Sequence, residues 1–575
     1  MVCRIPFQGI LVRGALFALG LLLSGSLAAA APKPNLVLVT LDSTRADRMG
    51  FLGAKGGVTP NLDHLATESL VFEHAYAQAP GTLVSHATIL SGAYPQGTGL
   101  SEIGGTLPAT SPYLPDLLKA QGYRTAAFVG SIQLDPRNGL AQGFDRGFQT
   151  YDAGFHPAGV GTGAARSALT ERSAGQVMTR VTAWLASNSQ GPVFLWIHIH
   201  DSQAPNTSYN AAITAADAAI GKLVAALKQQ KLYANTAILI AADHGESLGA
   251  HGEDAHGIFL YDETIHVPLL LKLPENQPAA KRVTTKVRLI DIAPTLLEIA
   301  AIPVPSQMQG QSLLRIAKSS GGDQAVYSRS DLPQRGFGWS ALESWRAGKY
   351  LYIRAPKPEL YDLTADPGAT RNLAQSSKAT LDTMAGQLES FDRRFSGEDG
   401  KSSGAQLSSS EMQKLASLGY VGLQKSSGAS AAVAGTDPKD KIAAANKVIE
   451  AASLFEQGNS DRALAMLTPV ISAEPGLYLA EYTLGAALAQ KGQPAEAVKH
   501  LHKAIELQPD SAWAHYQIGT SLLKTGDFKT AAVHLEIATT RLPKFLPAQQ
   551  ALAEAQDRLR RAEGAHKEGA KGGKQ

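Results

Sequence analysis

Side chains that could bind a metal follow two apolar runs of the chain. Asp243 and His244 follow residues 236–240 after two alanines, and Asp42 comes directly after residues 35–41. Open α/β sheets place their sites at the carboxyl ends of strands, so two such strand ends can converge on one point. Carboxylate and imidazole groups together bind divalent cations. The sequence therefore predicts a metal-dependent hydrolase.

The elements that must position these side chains alternate between strand-like and helix-like patterns from residue 33 to about 394. Strands are predicted at 125–129, 193–198, 237–240 and 267–271, and helices at 167–187 and 212–230. This alternation indicates a mostly parallel sheet flanked by helices. The strands are continuously apolar, which is typical of strands buried on both faces.

Several segments occur in the order typical of one enzyme family. They include NLVLVTLDSTRADRMG (35–50), TPNLDHLATESLVFEHA (59–75), TLVSHATILSG (82–92), the stretch 241–252, GIFLYDETIHVP (257–268) and LYDLTADPGATRNL (360–373). With them, region 34–372 resembles the sulfatase family of the alkaline phosphatase superfamily. The resemblance implies an α/β fold with a large, mixed, mainly parallel sheet between helices, and a hydrolase domain over residues 34–395.

The resemblance also implies one divalent metal ion, held by Asp42, Thr82, Asp243 and His244. Calcium, manganese, magnesium and zinc all remain open. The family often has a second acid after the first, whereas this chain has Ser43. The alternatives are that Asp42 caps a turn or helix and that residues 243–244 form a polar loop without a metal.

The nucleophile position departs from the family pattern. Sulfatases carry C-x-P-x-R there and oxidise the cysteine to formylglycine, whereas residues 82–86 read Thr-Leu-Val-Ser-His. Since threonine cannot become formylglycine, we expect no formylglycine and a metal-activated Thr82 hydroxyl as nucleophile. His86 replaces the family arginine as a donor or acid, and Ser85 is predicted to cap the following helix. The alternative is that Thr82 is only a cap in a site without chemistry.

The expected substrate contacts are also altered. The family pattern D-P-H-x-P corresponds to residues 201–205, so Gln203 stands in place of its histidine. Glutamine can orient an ester oxygen but cannot act as a general acid. We predict that Gln203 and nearby His200 bind substrate, and that His256 supplies the catalytic basic group that contacts the anion.

The start of the chain has the pattern of an export signal. Arg4 and Arg13 precede the apolar run 15–23, and small residues follow at 26–30. Residues 1–31 are therefore predicted to be a signal peptide of a periplasmic or secreted protein, with no stable membrane span after cleavage. The alternative is an uncleaved N-terminal anchor. Cys3 is the only cysteine and lies within this segment, and the net charge of +3 gives no reason to expect nucleic acid binding.

The last part of the chain is repetitive. Residues 396–440 are a predicted Gly/Ser-rich linker with a short helix at 409–418. From residue 441 to 562, windows starting at 444, 478 and 512 share a period of 34 residues. Their matching positions are Ala463, Ala497 and Ala531; Leu467, Leu501 and Leu535; Pro475, Pro509 and Pro543. This pattern resembles the tetratricopeptide repeat, which implies an all-α solenoid that binds a protein partner. A capping helix is predicted at 547–561 and a disordered tail at 563–575.

These observations favour an exported, metal-dependent hydrolase that cleaves a sulfate, phosphate or phosphonate ester. One alternative is a phosphoester hydrolase or transferase. A second is a catalytically degenerate scaffold that binds protein partners through its repeats.

Overall fold

A large sheet at the centre of the protein carries the predicted metal ligands. The computed structural model describes Met1 and residues 33–572, except 103, 155–171, 201–207, 277–280, 320–322, 396–407, 409, 412, 414 and 416–434. The predicted signal peptide, Gln203 and most of the predicted linker therefore lie outside the described residues.

The large sheet has nine strands. They are β1 Asn35–Leu41, β2 Leu70–Tyr76, β5 Arg124–Val129, β7 Thr150–Asp152, β8 Val193–Ile199, β9 Thr236–Ala242, β10 His266–Lys272, β11 Lys281–Val283 and β12 Val287–Arg288. Their order is β11-β2-β10-β9-β1-β8-β5-β7, and β12 also pairs with β2. Strands β9, β1, β8, β5 and β7 are mutually parallel, whereas β10 is antiparallel to both neighbours. The predicted mixed, mainly parallel sheet is confirmed.

Helices in two groups pack against this sheet, because each has an apolar face to bury. The helices between residues 34 and 395 are α1 Pro60–Ala66, α2 Thr82–Ser91, α3 Pro95–Thr98, α4 Leu114–Ala120, α5 Ala174–Ser187, α6 Tyr209–Gln229, α7 Asp262–Ile265, α8 Ile292–Ile299, α9 Leu313–Lys318, α10 Leu332–Phe337 and α11 Lys378–Phe395. Helix α6 contacts both α1 and α5, whereas α2, α4 and α8 contact one another. Helix α5 begins at Ala174, where Ser173 and Gln176 form a capping box, and residues 167–171 of the predicted helix lie outside the described residues.

Among the described helices, α6 has the length and apolar composition of a membrane span. Its apolar residues pack into the fold beside α1 and α5. The buried Asp217 of α6 also accepts hydrogen bonds from the backbone amides of Asn61 and Leu62 at the start of α1. Helix α6 is therefore an integral part of the core around the large sheet.

Two smaller sheets accompany the large sheet. Strands β13 Val326–Ser330, β14 Leu342–Ala347, β15 Tyr350–Arg354 and β16 Glu359–Asp362 form an antiparallel sheet. Helix α11 packs on this sheet. Strands β3 Leu100–Ser101, β4 Gly104–Thr106 and β6 Ala141–Gln142 form the other sheet.

Paired helices follow, as the repeats predict. They are α12 Ile442–Glu456, α13 Ser460–Ala473, α14 Tyr478–Gln490, α15 Pro494–Leu507, α16 Ala512–Thr525, α17 Phe528–Arg541 and α18 Leu546–Gly572. Glycine allows the helices of a pair to approach closely, since a Cβ built on Gly519 would lie 2.5 Å from Leu535 Cγ. Helix α18 begins near the predicted start of the capping helix and continues into the predicted tail.

Candidate active site

The candidate site lies where three neighbouring parallel strands end. Leu41 of β1 is in register with Ile199 of β8 and with Ala242 of β9. The Asp42 amide donates to the Ile199 carbonyl at 3.0 Å, and the Asp243 amide donates to the Leu41 carbonyl at 3.1 Å. The sheet thus places the residues that follow these strands side by side.

Asp42, Asp243 and His244 form a buried cluster whose ligand atoms lie within 4.8 Å of one another. The Asp243 Oδ1 accepts hydrogen bonds from the Ser43 amide at 3.1 Å and from the His244 amide at 2.8 Å. The Asp243 Oδ2 is buried and accepts no hydrogen bond among the described residues. A buried carboxylate oxygen without a partner is unfavourable, and a cation would satisfy it. The cluster therefore fits a divalent metal ion.

His244 presents its unprotonated ring nitrogen to this cluster. Its Nδ1 lies 2.9 Å from the Gly245 carbonyl, which assigns the proton to Nδ1. Its Nε2 lies 3.2 Å from Thr82 Oγ1 and 3.5 Å from Asp42 Oδ1. Burial, together with the nearby charge of His256, lowers the pKa of His244 to about 3. The neutral imidazole is the form that ligates metals.

The two carboxyl groups of the cluster differ in their ionisation. Burial and the negative charge of Asp42 raise the pKa of Asp243 well above its ordinary value. Burial also opposes ionisation of Asp42, but His200 and His198 hold the pKa of Asp42 well below its ordinary value. Without a cation, Asp42 is therefore the acid that keeps its charge most readily.

Helix α2 brings Thr82 to the edge of the cluster. The helix begins at Thr82 itself, with Gly81 as its N-cap. The prediction that Ser85 caps this helix is wrong, because Ser85 lies in the helix and its hydroxyl donates to the Asp243 carbonyl at 2.6 Å. The Ser85 hydrogen bond ties the helix to the strand end that carries the ligands.

His86 lies one turn along α2 and is fully buried. Its Nδ1 lies 2.7 Å from the Thr82 carbonyl, and its Nε2 lies 2.9 Å from Thr40 Oγ1. The Nδ1 is also 3.5 Å from the unpartnered Asp243 Oδ2. In this arrangement His86 supports the first turn of α2, and its predicted contact with substrate stays a prediction.

His198 lies at the end of β8 and His200 directly follows the strand, so that both face Asp42. The His200 Nδ1 contacts Asp42 Oδ2 directly, and His198 Nε2 lies 3.7 Å from the same oxygen. His200 is therefore held on a predicted metal ligand, and its predicted contact with substrate stays untested. The sequence analysis missed His198, although the i, i+2 spacing places both imidazoles on one face of a strand that leads into the site.

His256 adds a positive charge beside the cluster. Its Nδ1 lies 3.1 Å from Glu246 Oε2, and its ring centroid lies 4.4 Å from that of His244. Burial opposes the charge on His256, but the Glu246 carboxylate raises its pKa to about 9. A charged imidazole in this place can bind an anion over the neutral pH range.

Glu102 is a further residue that the sequence analysis missed. Its carboxylate accepts hydrogen bonds from the amides of Leu83 at 3.2 Å and Val84 at 3.0 Å. These amides belong to the first turn of α2, where a helix favours negative charge. Burial raises the pKa of Glu102 to about 7. Glu102 thus uses helix donors that would otherwise be available to a bound anion.

Comparison with known families agrees with this geometry. The family described as Sulfatase matches residues 34–302. The family described as "N-sulphoglucosamine sulphohydrolase, C-terminal" matches residues 254–393. The family described as TPR repeat matches residues 485–526.

Individual proteins are similar over parts of the chain. An ulvan-active sulfatase of Formosa agariphila is 26% identical over 62% of this chain and 80% of its own length. Arylsulfatase K of Rattus norvegicus is 32% identical over 32% of this chain. The matched region covers only 34% of the length of that protein. The phosphonate monoester hydrolase of Agrobacterium radiobacter has a similar fold, with 19% identity and a TM-score of 0.51 over 63% of this chain and 96% of that structure. The chain thus contains a sulfatase-family domain of the alkaline phosphatase superfamily followed by tetratricopeptide repeats, and it is a sulfuric ester hydrolase-like enzyme.

Proposed function

We propose that the protein is an exported, metal-dependent hydrolase that cleaves a sulfate or phosphate/phosphonate ester with Thr82 as its nucleophile. The observation that carries this proposal is the placement of Thr82 Oγ1 at the start of α2, 3.2 Å from His244 Nε2. Asp42, Asp243, His244 and Thr82 would hold one divalent cation. Carboxylate and imidazole ligands suit calcium, manganese, magnesium and zinc alike.

A bound divalent cation supplies Lewis-acid chemistry that favours the alkoxide of a nearby hydroxyl. In the proposed step the Thr82 hydroxyl gives its proton to water, Oγ1 attacks the sulfur or phosphorus atom, and the bond from that atom to the leaving oxygen breaks. His256 binds the anionic group of the ester and can give a proton to the leaving oxygen. The covalent Thr82 ester is afterwards cleaved by water or passed to an acceptor hydroxyl. No formylglycine is needed in this scheme.

His200 and Gln203 complete the proposed substrate contacts. His200 holds Asp42 in the ionised form, and the imidazole edge beyond that contact can face a bound ester. Gln203 can orient an ester oxygen as a hydrogen-bond donor. His86 supports the carbonyl of Thr82 and so fixes the direction of the nucleophile.

Sulfate and phosphate esters both satisfy this geometry. Sequence similarity to sulfatases favours a sulfate ester. The absence of a cysteine at position 82 favours the phosphoester alternative, because a threonine hydroxyl does not support formylglycine chemistry. The degenerate scaffold is a further candidate, since Thr82, His86 and Gln203 all depart from the family pattern.

Export and a protein partner for the repeats belong to the same proposal. Export is supported by Arg4, Arg13 and the apolar run 15–23. The partner is supported by the repeats, which form extended binding surfaces in other solenoids.

The deciding experiment measures turnover of aryl sulfate, phosphate and phosphonate esters by the purified full chain. We expect Thr82→Ala to reduce kcat at least about 1,000-fold, since loss of a nucleophile removes the covalent step. Thr82→Ser should keep part of the activity. Thr88→Ala is the matched control on the same helix, because its hydroxyl bonds only α2 carbonyls. Mass spectrometry of acid-quenched enzyme should find the sulfo or phospho adduct on Thr82.

The outcomes separate the candidates. Dominant turnover of aryl sulfate would exclude the phosphoester alternative, and dominant turnover of phosphate or phosphonate esters would support it. A stoichiometric metal together with turnover would exclude the scaffold. Full activity of Thr82→Ala would overturn the role of Thr82.

A further inference from the structure

Each of the three repeats contacts the hydrolase domain. A single apolar core runs from the large sheet into the first repeat, where it includes Ala445, Val448, Ala451 and Leu454. Residues 34–575 accordingly form one compact unit. The repeats are therefore not a separate appendage.

Polar contacts fix each part of the solenoid to the hydrolase domain. Before the first repeat, Lys439 Nζ lies 2.8 Å from Glu359 Oε1. At the second repeat, Arg335 of α10 pairs with Asp510 at 3.3 Å. At the end of the third repeat, the Gln142 side chain donates to the Arg541 carbonyl at 2.6 Å.

The hydrolase domain contacts the layer formed by the first helices of the repeats. Helices α12, α14 and α16 contact one another in turn and make this layer continuous. Helix α10 packs against α14, and a Cβ built on Gly336 would lie 3.9 Å from Leu479 Cβ. Solenoids of this kind usually bind partners through an extended surface of this type. Here the chain's own hydrolase domain covers part of that surface, at Leu479 and Asn446.

The first repeat also forms hydrogen bonds with the loop that carries His256. The Asn446 side chain donates to the Gly252 carbonyl at 2.8 Å and accepts from the Asp254 amide at 3.3 Å. Asn446 thus holds both sides of the loop tip, two residues before His256. The ring of His256 in turn contacts the ring of His244.

This loop needs support from outside. Leu248, Gly249, His251 and Gly252 all have positive φ values, between 53° and 88°. Such values are unfavourable for leucine and histidine, so the conformation persists only where surrounding contacts impose it. Glu253 supplies contacts from within the loop by accepting from Ser247 Oγ and the Ile258 amide. Asn446 supplies contacts from the repeats.

We propose that the repeat unit is an intramolecular part of the active site, in which Asn446 of α12 positions the loop 247–256 and thereby holds His256 beside the metal cluster. Asn446 is a positioning residue, since it acts through the loop and touches no reacting atom. The proposal rests on the proposed function for the role of His256. The loop position itself can be tested without any turnover.

The test compares full-length Asn446→Ala, Asn446→Asp and Lys447→Ala. Alanine is a better helix former than asparagine, so α12 should keep its helix. Lys447 is exposed on the same helix and serves as the control. Hydrogen exchange of the loop amides is measured together with the dissociation constant for inorganic sulfate.

We expect Asn446→Ala to speed exchange of the loop amides about tenfold, with no change in the large sheet. Sulfate should bind less tightly and KM should rise more than kcat falls. Asn446→Asp keeps the acceptor for the Asp254 amide and should lie between wild type and Asn446→Ala. Lys447→Ala should match the wild type. Unchanged loop exchange in Asn446→Ala, or an equal rise throughout the chain, would overturn the proposal, whereas altered exchange in an inactive protein would refute only the proposed function.

A second arm tests the docking itself. A protease site inserted within residues 425–430 allows the purified chain to be cut between the hydrolase domain and the repeats. We expect the two fragments to elute together in gel filtration at micromolar concentration. Separation of the fragments would overturn the proposal.

Discussion

Replacing Asp243 with asparagine should have opposite effects on the metal-free and metal-bound protein. In the metal-free protein, Asp42 and Asp243 are two buried acids with oxygens within 4.8 Å. At that distance, two negative charges repel each other by about 3 kcal/mol for an effective dielectric constant of 20. The substitution would remove this repulsion, and the new amide could donate to His244 Nε2, which lies 3.7 Å from Asp243 Oδ2.

The difference in folding stability between metal-free Asp243→Asn and the wild type depends on pH. The pKa of Asp243 is raised in the folded protein, so the stability linked to its protonation is complete below the unfolded pKa and is lost as pH rises through the folded pKa. Metal-free Asp243→Asn should therefore match the wild type below about pH 4, gain on it as pH rises, and exceed it by roughly 3 kcal/mol once wild-type Asp243 is ionised. With metal present, the variant should lose affinity more than about 100-fold, since even partners outside the first ligand shell contribute 10- to 100-fold.

The assay is denaturant unfolding with chelator at several pH values, followed by calorimetric titration with each candidate metal. Asp217→Asn is the control because Asp217 is also buried but accepts bonds from the Asn61 and Leu62 amides. It should lose stability without any change in metal affinity. The reasoning is refuted if metal-free Asp243→Asn is less stable than the wild type at alkaline pH, or if it binds metal as tightly.

Three further predictions concern other parts of the molecule. His256→Gln should weaken binding of inorganic sulfate about tenfold near pH 7, and wild-type affinity should fall to the level of the variant as pH rises through about 9, as measured by calorimetry. Burial lowers the pKa of His515 to about 4. The free energy of unfolding of the wild-type repeats should therefore fall by up to roughly 3 kcal/mol as pH falls from about 6.5 towards 4. The fall should be smaller for His515→Asn, as measured by unfolding followed with circular dichroism. Gly519→Val should destabilise the repeats by about 1–3 kcal/mol, because its side chain would overlap Leu535, while Gly564→Ala, with open space around it, should not lower the melting temperature.

The metal cluster could be predicted because its residues follow local patterns. Asp42 and Asp243 each come after an apolar run, and parallel strands that pair as neighbours bring their carboxyl ends together. The repeats were predictable for a similar reason, since the alanine, leucine and proline positions recur every 34 residues. Periodicity and strand ends are properties that a single sequence displays.

Contacts between distant segments leave no such pattern. Asn446 bonds to Gly252 across 194 residues, and neither residue type indicates a partner. Glu102 caps α2 from a short strand region, although the sequence analysis placed the cap at Ser85. A serine near a helix start is a good local signal, but Ser85 instead bonds the Asp243 carbonyl in the folded chain.

The geometry of the cluster bears on the scaffold alternative. Asp243 Oδ2 is buried and has no hydrogen-bond partner among the described residues. A protein that only binds partners through its repeats gains nothing from such an oxygen. Burying such a group costs about 1–3 kcal/mol in the metal-free chain, in addition to the repulsion from Asp42. His244 adds a neutral nitrogen that faces the same point, beside the Thr82 hydroxyl. A cation bound there would offset all of these unfavourable terms at once. Metal binding therefore accounts for the arrangement of Asp42, Thr82, Asp243 and His244 in a way that a protein-binding role of the repeats does not.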